Sequence, residues 1–182
     1  MTMRRVSGFT AAASVLGLAL IGGCSMGRGM DGAAPAAASA VATLQTAGGA
    51  NVGRAVATEE NGGIRIMLDA RALPPGQHGV HVHTTGRCDG PGFETAGPHW
   101  NPTSMSHGTQ NPAGPHAGDL PNLNVAADGS GTMSMMLPAG SLDAMLDADG
   151  AAFVVHAAAD DLRTDPSGNS GGRIACGVFA RS

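Results

Sequence analysis

The chain has 182 residues, of which 29 are glycine and 11 are proline, and only 13% of its residues are charged. This composition predicts one turn-rich domain rather than a protein built from long surface helices. All basic residues are arginine and the formal net charge is −4, which argues against a nucleic-acid-binding protein with its basic surplus.

The N-terminal residues have the pattern of an export signal. Residues 1–23 combine the positive start MTMRR with the apolar run SVLGLALIGG, which is too short for a permanent membrane span. The run ends in IGGC, which resembles the bacterial lipobox, so we expect cleavage before Cys24 and attachment of lipid to its thiol. The alternative is a plain secretory signal that is cut elsewhere.

Residues 24–40 are small, contain a proline and show no hydrophobic period, which predicts a flexible tether. The predicted folded domain therefore spans residues 41–182. Together with the lipid, the tether would hold this domain at a membrane of the periplasm or cell envelope.

Short strand-like runs follow the tether, and turn signals rich in Gly, Pro, Asn and Asp separate them. No internal repeat and no convincing amphipathic helix is found among them. The pattern predicts an all-β fold, an antiparallel sandwich or barrel of about eight strands. The runs are 41–47, 51–58, 64–70, 79–83, 123–127, 132–138, 151–157 and 173–180.

The chain has three cysteines, and lipid attachment at Cys24 leaves Cys88 and Cys176 as a pair. In an oxidising compartment we expect these two residues to form a disulfide. Two buried free thiols are the alternative.

Histidine placement predicts a metal centre. His81 and His83 lie two residues apart on a predicted strand and therefore project from the same face. The long segment between His83 and Leu123 has almost no strand character, yet it contains three further histidines, and Asp119 follows the last of them by three residues. A bound metal supplies the free energy that orders such a loop. Imidazole-rich sites suit copper and zinc, and three histidines with one carboxylate suit tetrahedral zinc.

Five separated segments agree in order and internal spacing with one known family. They are GVHVHTTGRCDG, AGPHWNP, the stretch through His107 and His116 to GDL, VVHAAADD and GNSGGRIACGV. Over residues 41–182 the chain resembles copper-zinc superoxide dismutase. The resemblance implies a Greek-key β-sandwich or barrel with a long metal-binding loop and a shorter electrostatic loop.

The resemblance also implies a role for each site residue. His99 would be an imidazolate shared by the two metals, Asp160 the carboxylate that tethers His81 to His107, and Arg173 the arginine beside the copper. Cys88 and Cys176 match the family's disulfide. The implied copper ligands are His81, His83, His99 and His156, and the implied zinc ligands are His99, His107, His116 and Asp119.

The implied activity is dismutation of superoxide to dioxygen and hydrogen peroxide, with Arg173 and His99 as catalytic residues. The main alternative is a non-catalytic copper- and zinc-binding envelope protein of the same fold, and a third possibility is an envelope interaction module. The expected partners are superoxide and, through the lipid, a membrane. The oligomeric state is left open between monomer and homodimer.

Four residues near these motifs are expected to have structural roles only. His78 is predicted to form structural hydrogen bonds, and Trp100 to pack against the metal loop. Met133 and Met135 alternate on one strand, which is typical of core positions rather than metal ligands.

Overall fold

The computed structural model describes residues 37–137 and 140–182. Within these residues the chain forms nine strands, one single-turn α-helix and one 3-10 helix at Glu94–Ala96, so the all-β prediction is confirmed. The elements are β1 (Ser39–Gln45), β2 (Asn51–Glu60), β3 (Gly63–Ala70), β4 (Gly76–His78), β5 (Val80–His83), β6 (Leu123–Val125), β7 (Gly131–Met136), α1 (Leu142–Met145), β8 (Ala152–His156) and β9 (Arg173–Arg181).

The strands form one large antiparallel sheet with the order β5-β8-β9-β1-β2-β3-β7, and β4 pairs with β6 in a small second sheet. Strand β1 begins two residues earlier than the sequence predicted. Ser39 and Ala40 were assigned to the tether, but Ala40 is fully buried and pairs with Ala57 of β2. Backbone pairing and burial therefore order a segment whose small side chains carry no hydrophobic period.

The segments predicted at the N-terminus fall largely outside the described residues. The signal peptide, Cys24 and the tether up to residue 36 belong to this part of the chain. In the two described ranges, no helix has the length and apolar character needed to cross a bilayer.

The chain changes sheets at Gly79, immediately before the first histidine pair. The sequence predicted one strand over 79–83, whereas β4 pairs with β6 and β5 pairs with β8. A Cβ atom at Gly79 would lie 2.8 Å from Cβ of Ser170, so only glycine fits where the strand crosses over. Strand β4 was not predicted, because the Pro-Pro-Gly sequence at its start is typical of a turn.

Two other local features were not predicted from the sequence. The turn before β7 has Ala126 N donating to Ser130 O over 2.8 Å, and the strands on either side of it pair with β4 and β3 rather than with each other. Helix α1 was not predicted, because a single turn capped by the Ser141 side chain has too few residues to show a helical period.

The main core fills the space inside the large sheet, with Leu44, Ile64, Ile66 and Phe153 fully buried. Strand β8 is buried on both faces, which explains its uninterrupted apolar sequence. Its Phe153 and Val155 join the main core, whereas its other face packs on a small cluster around the disulfide. The members of that cluster are Phe93, Ala96, Ala152, Val154 and Cys176, with Cys88 packed against them.

Candidate metal centre

The long loop between β5 and β6 is held against the sheet at several points. Cys88 is bonded to Cys176 of β9, as the sequence predicted. Farther along, single bridges pair His83 with His99 and His81 with Asp119. Strand β5 therefore lies between β8 on one side and two segments of the loop on the other. This arrangement brings histidines from distant parts of the sequence to one place.

Four histidines, which we call the copper set, converge beside β5. Each has one nitrogen within 4.8 Å of the corresponding nitrogens of the others. Each also has a buried nitrogen with no hydrogen-bond partner, which is a costly arrangement unless a ligand binds there. These unpartnered atoms are Nδ1 of His81, Nε2 of His83, Nε2 of His99 and Nε2 of His156.

The second nitrogen of each strand histidine is fixed by an oxygen acceptor. His81 Nε2 donates to Asp160 Oδ2 over 2.7 Å, and His83 Nδ1 donates to Gly97 O over 2.8 Å. His156 Nδ1 donates to Gly171 O over 3.1 Å. In a neutral imidazole a proton on one nitrogen leaves a lone pair on the other, so these bonds leave the converging nitrogens free to bind a metal.

A second group, the zinc set, surrounds the carboxylate of Asp119. Its Oδ1 lies 2.9 Å from His99 Nδ1, 3.1 Å from His107 Nδ1 and 3.2 Å from His116 Nδ1. The Nδ1 atoms of His99 and His116 are 3.4 Å apart. A tetrahedron with metal–ligand bonds of about 2.0–2.1 Å has edges of about 3.3 Å, so these spacings fit tetrahedral zinc.

One other residue approaches the zinc set. His81 also lies within 4.8 Å of His99, His107 and Asp119. Its Nε2 is hydrogen-bonded to Asp160 and its Nδ1 faces the copper set, so His116 fits the fourth position of the zinc set better than His81 does. The other Asp119 oxygen accepts the backbone N–H groups of Gly108 and His116, which orients Oδ1 toward the three rings.

Asp160 joins the two sets through its carboxylate. Its Oδ2 accepts from His81 and its Oδ1 accepts from His107 Nε2 over 3.0 Å. A Cβ atom at Gly168 would lie 1.7 Å from Oδ1, so the residue over this carboxylate must be glycine. The Asn122 amide fixes the Asp160 backbone, accepting from its N–H over 2.7 Å and donating to its carbonyl over 2.8 Å.

The sequence analysis assigned no role to Asn122 or Gly168. Gly168 begins the family-matched segment GNSGGRIACGV, but neither residue is a ligand-forming type in a spaced motif. Asp165 was also missed. It accepts the backbone N–H of His107 over 2.5 Å and thereby fixes the zinc loop to the segment that follows Asp160.

The two sets differ in their protonation. Burial lowers the pKa of His81 to about 3 and that of His156 to about 4, and it also lowers the pKa of His83 and His99. Burial opposes protonation of His107 as well, but its hydrogen bonds to Asp119 and Asp160 raise its pKa to about 9.

Both carboxylates remain ionised. Burial favours their neutral forms, but hydrogen bonds from His107 and His99 hold the pKa of Asp119 well below its usual range. Hydrogen bonds from His107 and His81 do the same for Asp160.

A cavity of about 420 Å³ opens over the copper set. His83, His99, His156 and Arg173 line it. The Arg173 guanidinium donates to Phe93 O over 2.7 Å and to Gly97 O over 2.8 Å, so its position is fixed by the loop. The exposed carboxylate of Glu94 lies 3.9 Å from Arg173.

A second arginine, Arg163 in the loop between β8 and β9, lies elsewhere. Arg163 donates twice to Gln110 Oε1, over 3.0 and 2.8 Å, and does not line this cavity.

Of the four residues expected to have structural roles, three are buried or pack against the core and one is exposed. His78 is buried between two carbonyl oxygens, with Nδ1 2.7 Å from His156 O and Nε2 2.8 Å from Pro74 O. Trp100 is buried and Met133 packs against the core. Met135 is 40% exposed, which corrects its assignment to the core, because β7 is the edge strand of the large sheet.

Comparison with known proteins identifies related sequences and structures. Residues 51–179 match the family described as copper/zinc superoxide dismutase. A superoxide dismutase [Cu-Zn] of Caulobacter vibrioides is 40% identical over 148 residues, which are 78% of this chain and 85% of that protein.

A similar sequence and a similar crystal structure come from Bacillus subtilis. The superoxide dismutase-like protein YojM is 48% identical over 123 residues, which are 64% of this chain and 63% of that protein, so the match leaves over a third of that relative uncovered. The crystal structure of a SOD-like protein from the same species has a TM-score of 0.73 at 43% identity and covers 77% of this chain and 97% of that chain.

Proposed function

The chain belongs to the copper/zinc superoxide dismutase family, and from this premise we propose that it converts superoxide to dioxygen and hydrogen peroxide. Its cofactors are copper and zinc. Balanced, the reaction takes two superoxide anions and two protons and yields one dioxygen and one hydrogen peroxide. One superoxide is oxidised and the other is reduced, so no external oxidant or reductant is needed.

The convergence of four buried nitrogens without hydrogen-bond partners supports this proposal most strongly. A protein does not normally leave several buried polar atoms unpaired, since each costs about 1–3 kcal/mol. Three histidines and a carboxylate in tetrahedral spacing add a fitting zinc position.

When bound, copper supplies the one-electron redox chemistry and zinc supplies fixed charge without redox change of its own. Copper would be held by the nitrogens of the copper set. Burial already suppresses protonation of these nitrogens, so they are available as ligands at neutral pH. Arg173, fixed by two carbonyl oxygens at the cavity, would bind and orient the superoxide anion.

We propose His99 as the residue that handles a proton. Its Nε2 faces the copper set and its Nδ1 faces the zinc set, so a deprotonated ring would bridge the two metal positions. Nε2 could hold a proton and transfer it to the departing peroxide.

The test is a superoxide dismutation assay of protein loaded with both metals, alongside His156→Ala. The substitution removes one nitrogen of the copper set, and we expect a loss of at least about a hundredfold in rate. Metal content is measured on the same samples. A fully loaded native protein no faster than His156→Ala contradicts the proposal.

The second candidate is a non-catalytic copper- and zinc-binding protein of the same fold. It is favoured by the name of one relative, which is called superoxide dismutase-like. Against it, the chain retains all four histidines of the copper set and an arginine at the cavity. Full metal loading without dismutation would decide for this candidate.

We also propose that the protein is attached to a cell-envelope membrane through a lipid on Cys24 and that its domain faces the periplasm. The sequence pattern over residues 1–40 supports this. Mass spectrometry of the protein from its native membrane tests it. A mature N-terminus at acylated Cys24 is expected, and an unmodified or differently cleaved N-terminus contradicts it.

A further inference from the structure

Two separate cavities reach the metal centre. Besides the cavity over the copper set, a second cavity of about 450 Å³ opens on the side of the zinc set. The two share the wall formed by Pro98, His99 and Pro166, and their other lining residues differ. His99 therefore stands between two openings to solvent.

The second cavity reaches the zinc set at His116. This residue is 7% exposed and lines the cavity, whereas His107 is fully buried with both ring nitrogens hydrogen-bonded to carboxylates. Among the described residues, His116 Nε2 has no hydrogen-bond partner, and Asp165 Oδ1 lies 4.0 Å away. The zinc position is thus closest to solvent along the His116 side.

The two cavities differ in charge. Arg173 and Glu94 line the first, so a cation and an anion offset each other beside the copper set. Asp147 and Asp149 line the second, whose lining contains no arginine. Neither carboxylate has a basic partner within 4.0 Å in the described ranges. A cleft lined with one sign of charge concentrates ions of the opposite sign.

Passage between the two metal positions inside the protein is closed. The rings of His81 and His99 stack with their centroids 3.8 Å apart, which leaves no space for an ion between them. Asp160 closes the far side by bonding His81 and His107 together. An ion that enters over the copper set therefore has no direct path to the zinc set.

From these observations we propose that the two metals enter by separate routes, and that the cavity beside His116 is an acidic entrance through which a divalent cation reaches the zinc position. The inference rests on the metal sites of the proposed function. It concerns loading of the protein and requires no catalytic turnover.

The test compares metal uptake by the metal-free protein and by the double variant Asp147→Asn, Asp149→Asn. Cobalt(II) is the probe for the zinc position, since tetrahedral cobalt has strong visible bands, and copper(II) is then added to the cobalt-loaded protein. At low ionic strength we expect cobalt uptake to slow by about three- to tenfold and copper uptake to stay unchanged. High salt should remove most of the difference.

A matched control distinguishes two possible causes of slower cobalt uptake: loss of charge at the cavity and loss of a carboxylate from a turn. Asp147 Oδ1 accepts the backbone N–H two residues ahead over 3.0 Å, and Asp128 Oδ1 makes the same contact over 2.9 Å in the turn before β7. Asparagine can accept both bonds. Asp128→Asn should therefore leave both uptake rates unchanged.

The reciprocal variant is Glu94→Gln, which removes the anion from the copper cavity. It should slow copper uptake about two- to threefold and leave cobalt uptake unchanged. An entrance changes uptake and release rates together, so the equilibrium affinity of the double variant for cobalt should stay within about twofold of the native value.

The proposal is overturned if the double variant takes up both metals more slowly to the same extent, or if its cobalt uptake rate stays native. It is also overturned if a loss of equilibrium affinity for cobalt accounts for the slower uptake. None of these results bears on dismutation. Conversely, a loaded protein without dismutase activity would contradict the proposed function while selective slowing of cobalt still supported the separate entrance.

Discussion

The copper set and the zinc set are built from different kinds of structure. Strands β5 and β8 supply three of the four histidines of the copper set, and each is fixed by a carbonyl or a carboxylate. The zinc set lies entirely in the loop between β5 and β6, where regular structure is limited to a 3-10 turn. We therefore expect the sheet to hold the copper set in place without metal, and the loop to gain order when zinc binds.

Removal of zinc should have the largest effect on the free energy of unfolding. At free zinc a thousandfold above its Kd, the loss in free energy of unfolding is about 4 kcal/mol. Hydrogen exchange should rise at amides of residues 84–122 and stay slow in β5 and β8. Removal of copper alone should have a smaller effect on both measurements, and equal effects from the two metals would contradict the comparison.

Substitution of Asp160 should weaken metal binding by both the copper set and the zinc set, because its carboxylate accepts a hydrogen bond from one ring of each set. In Asp160→Asn one of the two ring N–H groups faces an amide N–H₂ instead of an acceptor. We expect the affinities for zinc and copper to fall about 10- to 100-fold. The neighbouring substitution Asp161→Asn, at an exposed turn carboxylate, should leave both affinities unchanged. Loss of only one metal would show that Asp160 does not link the sets.

Gly168→Ala should disturb the same carboxylate through a collision. Gly168 has φ +62 and its added Cβ would overlap Asp160 Oδ1, whereas Gly171 has φ +76 and its added Cβ would lie 3.7 Å from its nearest neighbour. Gly171→Ala should therefore cost only the strain of a left-handed residue, about 1–2 kcal/mol. Thermal unfolding should show a larger loss for Gly168→Ala, with weaker binding of both metals. Equal losses would mean that the collision is relieved at no cost.

The smallest expected effect is that of a change of one pH unit, which acts through a difference in proton release. His107 has a pKa of about 9 in the metal-free protein, so at pH 7.5 it must lose a proton when zinc binds. Zinc affinity should rise about tenfold per pH unit until pH 9 and level off above it. His81 and His156, with pKa values of about 3 and 4, are already neutral, so the affinity of the zinc-free protein for copper should stay flat from pH 6 to 9. Calorimetry in buffers of different ionisation enthalpy, with each metal added alone to the metal-free protein, measures both proton counts. A proton released on binding copper but none on binding zinc would contradict the prediction.

The sequence was most informative where spacing is tied to a regular element or to a family motif. His81 and His83 follow the two-residue period of a strand, and the fold class and the disulfide were predicted correctly. It was least informative where long-range contacts decide the structure. Asn122 acts through the backbone of Asp160, and Gly168 is required by a carboxylate eight residues away in the chain. The sheet change at Gly79 likewise depends on Ser170, which no local pattern reveals.

The most direct test of the metal centre is anomalous diffraction from crystals of the loaded protein, recorded on both sides of the copper and zinc absorption edges. We expect one copper peak among the four unpartnered nitrogens of the copper set and one zinc peak beside Asp119 Oδ1, with the ring of His99 between them. A single shared peak, or peaks on other side chains, would contradict it.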